Sequence, residues 1–247
     1  MSIETPADLA GLKRAGAVVA ATLRELRRHV RPGITTRELD DVAARVFARH
    51  GARSGPILTY DFPGAICISV NDEAVHGIPG PRRLRDGDVV KLDVTAELDG
   101  YYADACISLP VGKPRPATAR MVTAAQVALR KGIAVARAGI PRNAIGAAVE
   151  TEVERRGFTV LRELTGHGIG MSLHEAPTVF NFHDPADDEP LTEGLVITIE
   201  PMIAAGDTEV RQLDDGWTLV TDGGSRSAHM EHTLVVRRDA PPLVLTA

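Results

Sequence analysis

Apolar residues recur at helical spacing between 6 and 30, at Leu9, Leu12, Ala15, Val19, Leu23 and Leu26, and the run stops at Pro32-Gly33. A second helix is predicted from about Thr36, taken as its N-cap, to Gly51. The pattern then changes to short apolar runs: ICISV at 66–70, VVKLDV at 89–94 and YYADACISL at 101–109. Asp99-Gly100, between the last two, is a hairpin turn signal. Helical periodicity returns at about 116–137 and 142–156, and strands are predicted again at 195–200, 218–221 and 229–237.

This order repeats. Residues 31–51 align without gaps to 137–157, matching at Arg, Gly, Ile, Arg and Gly, with Leu39, Val42 and Phe47 on apolar counterparts. GDVVKLD (87–93) and GLVITIE (194–200) share a glycine, a short apolar strand and a closing carboxylate at nearly the same offset. We read two copies of helix–helix–hairpin, halves of about 1–110 and 111–247, related by a pseudo-two-fold axis. No Pro/Gly/Ser-rich linker divides them, so a single domain with one shared core is expected.

Composition narrows the class. The chain has 247 residues, 44% of them hydrophobic, which is enough for such a core. A net charge of −5 argues against nucleic-acid binding, and Arg27-Arg28 and Arg82-Arg83-Leu84-Arg85 read as solvated surface. No segment approaches the ~20 apolar residues of a membrane span. The polar start MSIETPADLA does not read as a signal peptide. Cys67 and Cys106 are too few for a disulfide framework, so a cytoplasmic protein is expected.

Four carboxylates interrupt or end the predicted strands: Asp93, Asp104, Glu200 and Glu231. Carboxylates rarely gather in an apolar setting without cations, and Lys91 is the sole basic candidate nearby. A metal is the simplest compensator. With His167 they form an oxygen-rich, thiolate-free shell suited to Mn, Co, Fe(II), Mg or Zn. Five ligands exceed the needs of one catalytic ion and fit a dinuclear site. His167 lies in LTGHGIGMSLHEAP (164–177), where Gly166, Gly168 and Gly170 are read as a padded loop admitting a close approach to its imidazole. His167 is assigned as a ligand, and His174 as a group contacting substrate or supporting the ligands. His229 shares a predicted strand face with Glu231 and is expected to orient it by a hydrogen bond. His29, His50 and His183 read as surface residues.

NDEAVHGIPG (71–80), KLDVTAELDGYYADAC (91–106), TGHGIGMSLHE (165–175), TIEPM (198–202) and SAHMEHTLVV (227–236) resemble the type I methionine aminopeptidases, members of the pita-bread metallopeptidases. The resemblance spans nearly the whole chain and implies an α+β pita-bread fold, a pseudo-symmetric antiparallel sheet backed by helices. It implies that Asp93, Asp104, His167, Glu200 and Glu231 hold two divalent cations (Co, Mn, Fe(II) or Zn). Asp104 and Glu231 would bridge them, Asp93 would serve one ion, and His167 with Glu200 the other. His76 and His174 would contact the substrate, and Glu200 would carry the proton from water to the leaving amine.

By family position, Thr59, Phe62, Cys67, Leu173 and Trp217 should line an apolar pocket for the first side chain. The family more often has an aromatic at 59 and Phe at 173, so a roomier pocket is expected. The implied substrates are N-termini of nascent polypeptides, with transient ribosome contact through the folded surface and a monomeric state. Two other readings are an Xaa-Pro or broader apolar aminopeptidase and a catalytically silent binding protein.

Overall fold

The computed structural model describes residues 1–206 and 209–247. Helices α1 (Pro6–His29) and α2 (Thr36–His50) both begin at capping boxes, Thr5 with Asp8 and Thr35 with Glu38. The N-cap of α2 is therefore Thr35 rather than Thr36, because Glu38 stands three residues beyond it and accepts its backbone N–H at 2.8 Å. A short helix that the apolar pattern did not predict, α3 (Gly55–Tyr60), starts at Ser54, whose hydroxyl accepts the Ile57 N–H. Helices α4 (Pro116–Val135) and α5 (Asn143–Arg155) follow.

Local geometry recurs at the offsets seen in the sequence. Gly33 and Gly139 have φ of 89° and 88°, and Gly87 and Gly194 have 81° and 80°, conformations that favour glycine. Gly33 N–H donates to Leu84 O and Gly139 N–H to Leu191 O, both at 2.8 Å. These matched turns support reading the chain as one internal duplication.

Strand Val89–Leu98 pairs with Tyr101–Pro110 across Asp99-Gly100, whose φ values of 53° and 86° make the twisted turn that hairpins prefer. Its other edge pairs with Cys67–Val70 and Arg53–Ser54. A second antiparallel sheet runs Leu243–Val244, His232–Val235, Val196–Ile199, Gly166–Gly168, Glu175–Val179. Two small three-stranded sheets flank them, one centred on Met202–Ala204 and one on Leu219–Thr221.

The two larger sheets meet along a seam. Glu231 N–H donates to Cys106 O at 2.9 Å. On either side, a hydroxyl bonds the facing backbone twice. Thr233 accepts Asp104 N–H at 2.9 Å and donates to Asp104 O at 2.7 Å. Ser108 accepts His229 N–H at 2.8 Å and donates to His229 O at 2.7 Å. The strands thus run on as one antiparallel layer from Cys67 to Val179.

One face of this layer packs on helices. Leu92, Val94, Ala103 and Ala105 join the cluster under α1 and α2, while Ile197, Ile199 and Leu234 join the cluster under α4 and α5. The alternate residues point the other way. Lys91 lies on that opposite side, 1% exposed, but its ammonium donates to Asn71 O at 2.8 Å and Ser227 Oγ at 3.2 Å and pairs with no strand carboxylate.

Thr233→Val keeps the side chain's shape but strips both bonds from the buried Asp104 backbone. It should lower the unfolding free energy by about 2 kcal/mol, read as a reduced urea midpoint at constant slope. An unchanged midpoint would mean that the seam is held elsewhere.

Candidate metal centre

Register alone brings the five candidate ligands onto one face. Asp93 pairs with Cys106 and Asp104 with Thr95, so the two aspartates are diagonal neighbours on the same side of the hairpin. Across the seam Glu231 sits opposite Cys106 and inherits that side. Ile199 pairs with His232, which leaves Glu200 and Glu231 facing each other one residue beyond the ladder. Gly168 pairs with Ile197, so His167 lies beside Thr198, whose hydroxyl accepts the His167 N–H at 3.0 Å.

The glycines around His167 do a different job from the one expected of a padded loop. Gly166–Gly168 is a strand, and a Cβ at 166 would stand 2.7 Å from Thr198 O, while one at 168 would collide with Ala176 O. They let neighbouring strands close up. The chain then turns back, bringing the His174 ring centroid to 4.1 Å from that of His167. His167 Nδ1 lies 2.8 Å from Gly168 O, an acceptor only, so Nδ1 carries the proton and Nε2 offers its lone pair. Nε2 is 3.5 Å from Glu200 Oε1.

The expected strand at 229–237 is broken. Ser227–His229 and His232–Val235 are separate, because residues 230–231 cross from one sheet to the other. His229 is consequently nearer Glu200, at 3.4 Å, than Glu231, at 3.8 Å. The expected contact to Glu231 alone is replaced by one that faces both glutamates. His50 and His183 are exposed, and His29 is half-buried with Nδ1 2.9 Å from Glu25 O.

The electrostatics of the cluster are unfavourable as protein alone. Burial, then the charges of Asp104 and Glu200, push Asp93 well above the usual carboxylate range. Burial, then Asp104, Glu200 and Asp93, do the same to Glu231. Asp104 is also raised by burial, against the opposing pull of His167. Glu200 differs. Burial pushes it up, but His229, His167 and the Thr198 hydroxyl outweigh that and leave it lowered. Its Oε1 accepts the Thr198 hydroxyl at 2.6 Å.

These donors fit a divalent cation. Asp104 Oδ1 and Glu231 Oε1 are buried without hydrogen-bond partners, His229 Nε2 faces the Glu200 carboxylate at 3.4 Å, and the tautomer of His167 presents a lone pair. Ligand atoms of Asp104, His167 and Glu231 lie within 4.8 Å of one another, as do those of Glu200, His229 and Glu231. Asp93 belongs to neither group but lines the same cavity.

That cavity holds about 250 Å³. Its walls include His76, His174, Phe62, Cys67, Leu173 and Trp217. Phe62 meets the Trp217 ring edge-on at 5.2 Å. Thr59 is exposed and does not line it; Tyr60, the next residue of α3, does, along with Pro56. The six-residue helix sets this, since its C-terminal turn aims position 60 at the cavity. Tyr60, Pro56 and the supporting Thr95 and Thr198 escaped sequence reasoning. The two threonines were legible in principle as neighbours of Asp104 and Glu200 on the same strand face.

A buried carboxylate–imidazole cluster beside a small apolar-walled cavity is the apparatus of a metal-dependent hydrolase. The chain belongs to metallopeptidase family M24, whose profile matches residues 10–238. It is 42% identical to methionine aminopeptidase 2 of Bacillus subtilis (strain 168), over 100% of this chain and 99% of that one. The structure superimposes on methionine aminopeptidase from Rickettsia prowazekii with a TM-score of 0.95, at 36% identity and 100% coverage of both chains. For the Thermotoga maritima methionine aminopeptidase the TM-score is 0.96, at 35% identity, covering 100% of this chain and 99% of that one. Among the described residues no helix is long and apolar enough to cross a membrane.

The raised carboxyls give a pH signature with a definite sign. In chelator, the folded state keeps protons that the unfolded chain releases above about pH 4, so stability falls as pH rises towards neutral. Glu231→Gln removes one such group and should flatten that fall in urea titrations from acid to neutral pH. Saturating Mn²⁺ should flatten it in the parent protein too. Parallel slopes for parent and variant in chelator would contradict the assignment.

Proposed function

We propose that this metallopeptidase is a methionine aminopeptidase that removes the first methionine from nascent polypeptides in the cytoplasm. The carrying observation is one cavity that joins the five-residue cluster to an apolar wall of Phe62, Cys67, Leu173 and Trp217. Its size is below the ~300–1,000 Å³ typical of sites for drug-sized ligands, which suits one side chain and the reacting amide. The names of its full-length relatives support the same substrate.

Asp93, Asp104, His167, Glu200 and Glu231, which all line the cavity, would hold the divalent cations. Bound there, divalent cations would supply Lewis acidity, making water a better nucleophile at neutral pH and polarising the scissile carbonyl. The protein supplies the rest. Glu200, which accepts the Thr198 hydroxyl at 2.6 Å and faces His229 Nε2 at 3.4 Å, would accept the water's proton and pass it to the leaving amine. His174, at the cavity rim, donates a hydrogen bond to the oxygen that becomes negative. Burial lowers its pKa to about 4, so it works as a neutral donor. His76, at the mouth with φ of 58°, contacts the substrate beside the amide. Leu173 closes the apolar wall and, being shorter than an aromatic, leaves room beyond the methionine methyl group.

Metal-reconstituted protein should release only the first methionine from Met-Gly-Met-type peptides, and chelator should abolish the release. Faster turnover of Leu-initiated or Xaa-Pro peptides would contradict the proposal. His174→Ala should lower kcat by roughly 10²–10³, the usual loss for one such donor, while bound metal measured by elemental analysis stays constant. Equal loss of both would make His174 a ligand.

A further inference from the structure

α3 brings a side chain to His174 that the reaction above does not use. Tyr60 Oη lies 2.6 Å from His174 Nδ1, and the two rings are 5.7 Å apart. Tyr60 is 45% exposed and lines the cavity mouth. Its position is well supported. Ser54 caps α3, accepting Ile57 N–H and donating to Ala65 O at 2.7 Å, and Asp61 ends the helix in the left-handed conformation with its N–H on Ile57 O.

The bond matters because of what it does to the other ring nitrogen. Neutral imidazole has one donor and one acceptor nitrogen. If Nδ1 accepts the phenolic proton, Nε2 must carry the hydrogen and becomes the donor. His167 is held in the opposite sense, with Nδ1–H on Gly168 O and Nε2 as the lone pair. With the Tyr60 hydroxyl donating, two imidazoles in ring contact take opposite roles: the Gly168 carbonyl leaves His167 a lone pair on Nε2, and the phenol leaves His174 a hydrogen there. Burial raises the Tyr60 phenol above its ordinary value, which keeps its proton available.

We propose that Tyr60 is a positioning residue that fixes His174 with hydrogen on Nε2, facing the scissile carbonyl. The inference rests on the aminopeptidase reading for its kinetic consequence but not for the tautomer itself. Its test has two arms.

The first arm is the nitrogen-15 spectrum of His174 in protein loaded with diamagnetic Zn²⁺. The parent should show the Nε2–H form alone, and Tyr60→Phe should show a mixture or the Nδ1–H form. Nδ1–H in the parent, or an unchanged spectrum in the variant, would overturn the proposal.

The second arm is a double-mutant cycle on a Met-Gly-Met-type peptide. Tyr60→Phe should lower kcat about five- to tenfold, the effect of one hydrogen bond, with KM and metal content unchanged. In a His174→Ala background it should have no further effect. Additive losses, or a loss confined to KM, would make Tyr60 a mere wall of the cavity and overturn the proposal. Absence of methionine release by the parent would instead refute the aminopeptidase reading and leave the spectral arm to decide on Tyr60.

Discussion

Like charges in a low-dielectric setting govern this structure. Asp93, Asp104, Glu200 and Glu231 converge on one cavity, where burial and then the charges of their neighbours push Asp93 and Glu231 well towards protonation. Leaving such groups charged and uncompensated is costly enough that a folded protein neutralises them or supplies a cation. The one buried lysine nearby spends its ammonium on Asn71 and Ser227. A divalent cation bound among these carboxylates would relieve that repulsion.

The scaffold is arranged to enforce this crowding. A strand layer with helices on one side leaves its other face for the site, and antiparallel register decides which residues share it. The hairpin turn sets the Asp93–Asp104 diagonal, the seam sets Asp104 against Glu231, and the ladder sets Glu231 against Glu200. Thr233 and Ser108 hold the seam by bonding backbone groups on strands that do not pair directly. The cavity thus gathers its candidate ligands from strands far apart in the chain, Asp93 and Asp104 from one sheet and His167, Glu200 and Glu231 from or beside the other.

Much of this was legible in the sequence because strand parity is a local rule. Carboxylates inside apolar runs, an Asp-Gly turn and a repeated Gly–strand–carboxylate pattern were enough to foretell one carboxylate-lined face. The misreadings fall where non-local contacts decide. The glycines beside His167 answer to backbones of strands distant in sequence. The break at 230–231 exists because the chain changes sheets there, which periodicity at 229–237 could not register. Tyr60 replaces Thr59 at the cavity because a short, Ser-capped helix sets its rotation, and such a helix is too brief to show a period.

The most direct measurement is anomalous diffraction at the manganese edge from crystals grown with excess Mn²⁺. The account predicts two peaks about 3.5–4 Å apart, as in other two-metal sites. Asp104 and Glu231 should lie between them, with Asp93 on one and His167 and Glu200 on the other. A single peak elsewhere, or none among these five side chains, would contradict it.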